Sequence, residues 1–395
     1  MREEELHRLL TVAAEDVRPA HPATTGWERA RRVRRARRAA GATALAVALL
    51  TGGTALALRP AAPPPPAATA TPQESATPHP VPVQTPPAEL AYPGHPLGRL
   101  GDPVGATLSA RPVRKALALH QPVDPATGVA GRIRVLGDDG VVRDLDVVTP
   151  APTRDAGGNE AVPLKSGSLS PDGRTAAFAQ TDEVIVVDLT TAAVRRHPLK
   201  GYLEHVLWSG DRLLVGDDDT TYELDPSTGA SRKVPVSPWN MAAPDPTGQP
   251  DLLLELGGAP GDLRLHRVAT DERGRGLDQV PVDFRALPPG NQVDEFYGRG
   301  WLNGHRLARA AWITTGSMGS LEGVAVLDAR TGVVTHLLNL GRDRWKGCCE
   351  VLGWEPDGAV LLRHNPGGLL RWKPETGEVT GVTRNLFGAV SLSAG

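Results

Sequence analysis

The fold is decided by the stretch "SLSPDGRTAAFAQTDEVIVVDLTTAAVRR", Ser168 to Arg196, because its first half returns as "GWEPDGAVLLRHNPGGLLRWKPETGEVTGV", Gly353 to Val382. Both begin with a turn of defined chemistry. In Ser170-Pro171-Asp172-Gly173 and Glu355-Pro356-Asp357-Gly358 the proline presets φ, the aspartate bonds its local backbone, and the glycine takes a conformation other residues resist. A second turn type recurs at Asp124 to Gly128, Asp225 to Gly229, Asp328 to Gly332 and Lys373 to Gly377, with Asp188 to Ala192 as a degenerate copy. Each of these turns follows one apolar run and precedes another.

The spacing between the two turn types is nearly constant: 17 residues from Arg174 to Thr191, 16 from Arg212 to Thr228 and 17 from Ala359 to Thr376. Constant spacing means a repeated unit, and the runs inside it ("TAAFA", "RLLVG", "AVLLR", then "VIVVDL", "TYELD", "LLRWK") are of strand length. Each unit reads as a four-stranded antiparallel meander. One such sheet cannot bury both its faces, so units recurring along a chain must stack on one another, as propeller blades do. Six units are expected, roughly at 100 to 150, 160 to 200, 203 to 236, 240 to 285, 293 to 340 and 347 to 386, giving an all-β, six-bladed β-propeller over residues 99–395. The irregular first and fourth units leave seven blades as the alternative. The remaining "FGAVSLSAG", Phe387 to Gly395, is placed to pair with the first unit and close the ring. Trp208, Trp301 and Trp354 fall near the ends of first strands, where a large ring packs between neighbouring blades.

"LSPDGRTAAFA" followed by "VIVVDL", together with "WEPDGAVLLR", resembles the PD40 or TolB-type variant of the WD40-like propeller repeat. The resemblance spans most of residues 100 to 390, with one unit matching closely, and it implies a propeller.

The chain has 395 residues, and what precedes the repeats has a different character. Ala39 to Leu58 is twenty residues without a charge, enough at about 1.5 Å rise per residue to cross a hydrocarbon core of about 30 Å. Seven arginines in Arg29 to Arg38 stand directly before it and only Arg59 closely after. Positive charge is retained on the cytoplasmic side, so residues 1–38 are expected inside and the repeats outside the cell. Here the lipid bilayer is the partner of residues 39–58, and the arginine run serves as a topology signal, with no nucleic acid as its partner. The alternative is secretion after cleavage near Ala57, at the small-x-small sequence Ala55-Leu56-Ala57. Leu6, Leu9, Leu10, Ala13 and Val17 recur at helical spacing, which makes residues 1–17 a short amphipathic helix open to a cytoplasmic partner. Residues 59–98 hold thirteen prolines and few bulky apolar groups, the composition of a disordered, polyproline-like stalk. This layout is similar to that of uncharacterised actinobacterial membrane proteins, some encoded beside sigma factors, although the cysteine and histidine motif of zinc-containing anti-sigma domains is absent from residues 1–38.

Chemistry-bearing motifs are missing. There is no G-x-S-x-G, no P-loop and no H-E-x-x-H, the eleven histidines lack ligand spacing, and no cofactor is expected. Two adjacent cysteines, Cys348 and Cys349, cannot build a disulfide framework or a zinc site; outside the cell they form a vicinal disulfide before the last unit or stay as separate thiols. If the units align, the loops between second and third strands open on one face. That face gathers Asp182, Glu183, Asp217, Asp218, Asp219, Ser317, Glu322, Arg363 and His364, with the longest loop expected in the fifth unit, where His305 to Thr331 spans 26 residues. These residues are the expected ligand-binding set. Oxygen ligands suit calcium, but no calcium-loop spacing is present, and the acids read as solvated surface with no metal assigned. The sequence therefore points to a membrane-anchored, extracytoplasmic, non-catalytic binding module for a protein, peptide or cell-envelope ligand. The alternatives are a polysaccharide lyase or hydrolase working in the funnel, and a sigma-factor-linked signalling protein.

Overall fold

The structure, a computed structural model, describes residues 82–155, 157–217, 220–234, 241–243, 252–259, 262–269, 276–342, 349–364 and 367–393. The cytoplasmic tail, the apolar segment 39–58 and residues 59–81 of the expected stalk lie outside the described residues, as do Asp218, Asp219 and Cys348. Among the described residues no helix is long and apolar enough to cross a membrane.

The described chain is almost entirely strand. Sheet I contains, in spatial order, Ala106–Thr107, Val142–Asp144, Arg134–Gly137, Ala116–Pro122 and Gly388–Leu392. The last of these comes from the far end of the chain and pairs antiparallel with Ala116–Pro122 (Ala118 opposite Leu392, Pro122 opposite Gly388). The closure expected from Phe387 to Gly395 is therefore made. Sheet II is built on Thr175–Asp188 and Ala193–Tyr202. The first of these runs doubles back at Asp182, where φ is +63°, and its base is closed by the Leu189 N–H donating to the Arg174 carbonyl at 2.8 Å. Residues 168–170 pair beside it. Sheet III is a four-strand meander of His205–Ser209, Arg212–Gly216, Thr221–Leu224 and Ser231–Val234.

An eight-stranded sheet follows, and a parallel contact splits it into two antiparallel halves (Ala242 opposite Gly300). Its half IV holds Met241–Ala243, Leu252–Ala259, Asp262–Ala269 and Gly276–Pro281. Half V holds Asn291–Asn303, Arg306–Thr315, Met318–Asp328 and Val334–Gly341. Sheet VI is Glu350–Trp354, Val360–Arg363, Gly368–Lys373 and Glu378–Arg384. First strands of neighbouring sheets approach in parallel, at Gly167 and Leu207 as well as at Ala242 and Gly300.

The apolar core lies between sheets. One cluster joins I to II through Leu119, Val135, Phe178 and Ile185, and another joins II to III through Val184, Val186, Val206 and Leu213. Further clusters join IV to V, V to VI, and VI back to I. Sheets packed face to face with alternating strands, and with the last sheet returning to the first, make an all-β propeller. The tryptophans link neighbours as their positions implied: Trp208 Nε1 donates to the Ser168 carbonyl at 3.1 Å, Trp301 Nε1 to Val351 at 2.7 Å and Trp354 Nε1 to Trp301 at 2.8 Å.

The recurring turns are alike in detail. Asp124, Asp188, Asp225 and Asp328 each accept from the backbone N–H groups two and three residues on, at 2.8 to 3.3 Å. At Gly173, φ is +72° and an added Cβ would strike the Ala116 carbonyl, so this turn needs glycine on both counts.

One expectation requires correction. The stalk was expected to run free to Gly98, but from Pro82 onward it is bound along sheets V and VI. The Gln84 N–H donates to Leu337 at 2.9 Å and its carbonyl accepts from Asn339 at 2.8 Å. Its side chain accepts from Trp372 Nε1 and donates to the Pro374 carbonyl, both at 2.6 Å. The Ala91 carbonyl accepts from Gly381 at 2.8 Å, the Arg384 guanidinium stacks 4.0 Å over the Tyr92 ring, and His95 bonds Glu355 at 2.7 Å. Leu97 and Leu100, both in the 3₁₀ turn Pro96–Gly101, are buried in the cluster where sheets VI and I meet. Prolines suit this role because a chain lying along a sheet edge needs few of its own N–H groups.

Candidate functional site

Strands alternate in direction, so the connections from sheet to sheet and the turns between second and third strands share one face. Of the expected residues, Asp182 and Asp217 are brought together there, on either side of Gly201. Asp182 accepts from the Gly201 N–H at 3.0 Å, and Asp217 Oδ2 lies 3.5 Å from where a Gly201 Cβ would stand. The Gly201 N–H, with help from Lys200, holds the Asp182 carboxyl below its usual range. Glu183 is ion-paired with Arg196. Ser317 lies exposed in the turn joining Arg306–Thr315 to Met318–Asp328. Arg363 pairs with Glu350 at 3.0 Å, and His364 is buried beside Gly368.

Glu322 departs from expectation. It belongs to the strand Met318–Asp328, is 4% exposed, and accepts from the Tyr297 hydroxyl at 2.6 Å. That hydroxyl in turn accepts from the Cys349 N–H at 3.0 Å, and Cys349 is disulfide-bonded. Burial first, and then the Glu322 charge, push the Tyr297 hydroxyl up. The long spacing in the fifth unit is thus a matter of long strands joined by a tight turn. Six residues of Asn291–Asn303, from Asn291 to Phe296, precede the level where the other first strands begin, which raises sheet V on the order of 20 Å as a wall beside the mouth.

The floor of this mouth holds groups that the sequence did not mark. Lys165 leads into the first strand of sheet II and Glu204 into that of sheet III, while Glu350 begins that of sheet VI. Arg299 comes from sheet V at a bulge, where the pairing register shifts between Tyr297 and Trp301. Gly298 has a φ of +64°, and the Arg309 guanidinium, 2% exposed, donates to the Gly298 carbonyl at 3.0 Å. Bulges re-aim side chains. Here the bulge sends Arg299 to the Val206 carbonyl of sheet III, at 3.1 Å, next to Gly167 of sheet II. Loss of surrounding water pushes the Arg299 guanidinium down to about 10, with Glu350 opposing.

The same cause pushes the Lys165 ammonium down to about 8; Glu204 and Glu350 pull it back and Arg299 presses it lower. Lys165 Nζ donates to Thr153 Oγ1 at 3.0 Å, and that hydroxyl donates onward to the Ala161 carbonyl at 3.3 Å. Nearby, His120 is 3% exposed, with Nε2 on the Phe387 carbonyl at 3.0 Å and Nδ1 without a partner among the described residues. Burial pushes its pKa down, and Arg134 and Arg363 add to this.

The rim is partly apolar. Among the described residues the large apolar side chains left exposed are Tyr92, Val104, Val129, Tyr202 and Met318, and the last three stand on this face. A concavity of about 320 Å³ elsewhere, lined by Arg111, Arg114 and Arg143, differs in kind because each of those guanidiniums is paired with Asp138 or Asp139.

No family model matches the chain, and no curated protein sequence does. Among solved structures it is similar to TolB from Acinetobacter baumannii, with 18% identity over 69% of this chain and 65% of that one, and a TM-score of 0.48. It is also similar to hydrazine synthase of Kuenenia stuttgartiensis (15%, 55% of this chain and 67% of that one, TM-score 0.40). A chain of a mitotic checkpoint complex is similar at 15% identity, over 59% of this chain and 69% of that one, with a TM-score of 0.39. The present chain spans 65% of the TolB chain's length. The propeller assignment stands on the pairing of this chain's own strands.

Proposed function

We propose that the chain is a six-bladed propeller, one blade for each of sheets I to VI, acting as a binding module without catalysis of its own. The return of Gly388–Leu392 to sheet I as its innermost strand supports six, since each of the six units then has a four-stranded antiparallel meander, to which sheet I adds Ala106–Thr107 as a parallel fifth strand at its outer edge. The observation that carries the binding function is the composition of one face, where exposed Val129, Tyr202 and Met318 surround a charged, poorly hydrated floor. Exposed apolar groups around a polar centre suit a macromolecular partner. The partner is an extracytoplasmic protein, peptide or cell-envelope component, and residues 39–58 anchor the propeller to the membrane with residues 1–38 inside the cell.

Capture from a cell-envelope extract by the full chain tests the binding face. The triple variant Val129→Ser, Tyr202→Ser, Met318→Ser is expected to lose whatever the wild type retains, by about tenfold or more. Equal capture by both forms would remove this face from consideration. Protease added to intact cells is expected to cut the propeller side and spare residues 1–38.

A further inference from the structure

Two cations approach each other on the floor of the mouth, with the Glu350 charge acting on both and that of Glu204 on Lys165. Lys165 and Arg299 come from sheets II and V; Arg299 passes beside Gly167, two residues on from Lys165, close enough for its charge to act on Lys165. Among the described residues neither has a carboxylate within ion-pair distance: Lys165 is held by the Thr153 hydroxyl and Arg299 by the Val206 carbonyl. Both remain partly accessible. The two carboxylates that act on Lys165 are differently placed. Glu350 is engaged by Arg363 at 3.0 Å, and Glu204 is 7% exposed with a partner of its own.

Loss of water around both cations, only partly offset by Glu204 and Glu350, raises the free energy of the empty site, and an opposite charge entering it relieves that cost. The backbone is shaped to hold that arrangement. The bulge in Asn291–Asn303, the left-handed Gly298 and the buried Arg309 behind its carbonyl together fix Arg299 across the mouth. Gly167 has no Cβ where Arg299 Nη1 passes; one would stand 2.9 Å from that nitrogen. One edge of the guanidinium is used by Val206, leaving its remaining N–H groups for a ligand.

We propose that Lys165 and Arg299 form an oxyanion subsite that anchors a carboxylate or phosphoryl group of the ligand received by this face. The proposal rests on the reading of that face as the binding surface and adds the chemistry at its centre. A planar guanidinium and a compact ammonium suit both kinds of oxyanion, the first by two parallel hydrogen bonds and the second as a point charge. When the anion binds, Lys165 gains a partner of opposite charge and its proton is held more tightly.

The test is calorimetric titration of the full chain with sodium citrate and, separately, with inorganic phosphate, each against sodium chloride at matched ionic strength. Saturable binding of at least one anion is expected within about 50 mM, and Lys165→Met and Arg299→Met are each expected to weaken it by about tenfold or more. Preference for citrate assigns the subsite to carboxylates, and preference for phosphate assigns it to phosphoryl groups. Absence of saturable binding by both anions, or equal binding by wild type and variants, overturns the proposal. Should the variants fail to fold, as read by circular dichroism, acylation of Lys165 in the wild type replaces them. Slowing by the anion supports the subsite, and an unchanged rate overturns it. The rim variant separates the two readings: it keeps anion binding while losing the macromolecular partner. Failure of the anion titration with partner capture intact removes the subsite alone.

Discussion

The docking of the Pro-rich segment can be tested at one side chain. Gln84 satisfies the indole N–H of Trp372, which is 0% exposed and central to the cluster between sheets V and VI. Gln84→Ala removes that acceptor, and the Pro374 carbonyl loses its donor as well. The backbone bonds of Gln84 to Leu337 and Asn339 survive the change, so the loss is confined to the side chain. A buried donor left without an acceptor costs about 1–3 kcal/mol. Taking about 2 kcal/mol, and roughly 2–4 °C per kcal/mol for a large domain, the melting temperature is expected to fall by about 4–8 °C. Scanning calorimetry of the full chain reads this directly. A double-mutant cycle with Trp372→Phe isolates the bond, with an expected coupling of about 1 kcal/mol. If residues 82–98 were a free stalk, Gln84→Ala would be neutral to within about 0.5 kcal/mol, as surface changes are; that result, or a coupling of zero, would refute the docking.

Other consequences are checked more briefly. Gly173→Ala forces a side chain into a left-handed turn and against the Ala116 carbonyl, and is expected to cost about 2 kcal/mol or more in urea unfolding. Tyr297→Phe deprives the buried Glu322 of a 2.6 Å hydrogen bond and is expected to cost about 2 kcal/mol, with the Cys349 N–H losing its acceptor too. Hydrogen bonds from Arg143 hold the Asp139 carboxyl at about 2, below its ordinary 3.8. Because the folded value is the lower one, this contribution is present above about pH 4 and fades as pH falls toward 2. Asp139→Asn is therefore expected to flatten the acid limb of stability against pH, measured by circular dichroism, while leaving the neutral and basic limbs parallel to wild type.

The repeating architecture was legible because its signals are local. Asp-Gly and Asp-x-x-Thr-Gly turns at fixed spacing report strand ends regardless of what packs around them, and even the closing pairing of Gly388–Leu392 followed from an unused strand-like remainder. The docked segment was not legible because its attachment is made of single long-range contacts. Gln84 to Trp372 and His95 to Glu355 leave no period in the sequence, and proline-rich composition reads as extended whether or not a sheet edge lies beside it. The expected acids at Asp182 and Asp217 did come together, because hairpin tips follow from strand alternation. Glu322 was misplaced for the converse reason: spacing between turns cannot distinguish a long loop from long strands. Lys165 and Arg299 carried no sequence signal at all. Each is a single cation in a connecting or bulged stretch, and only the ring brings them together; the nearest hint is the glycine pair of "GRGW", Gly298 and Gly300, which is where the bulge lies.

The pairing of Gly388–Leu392 with Ala116–Pro122 also bears on how the molecule is made. Sheet I lacks its innermost strand until residues near 390 have left the ribosome, so the earliest-synthesised of these six sheets waits for residues that follow all the others. Contacts so remote in sequence form slowly. During that interval Ala118 and Val390's future neighbours in the VI-to-I cluster stand uncovered, which makes the nascent ring a client for holding factors and makes any premature stop before residue 388 a loss of the entire circle rather than of a tail.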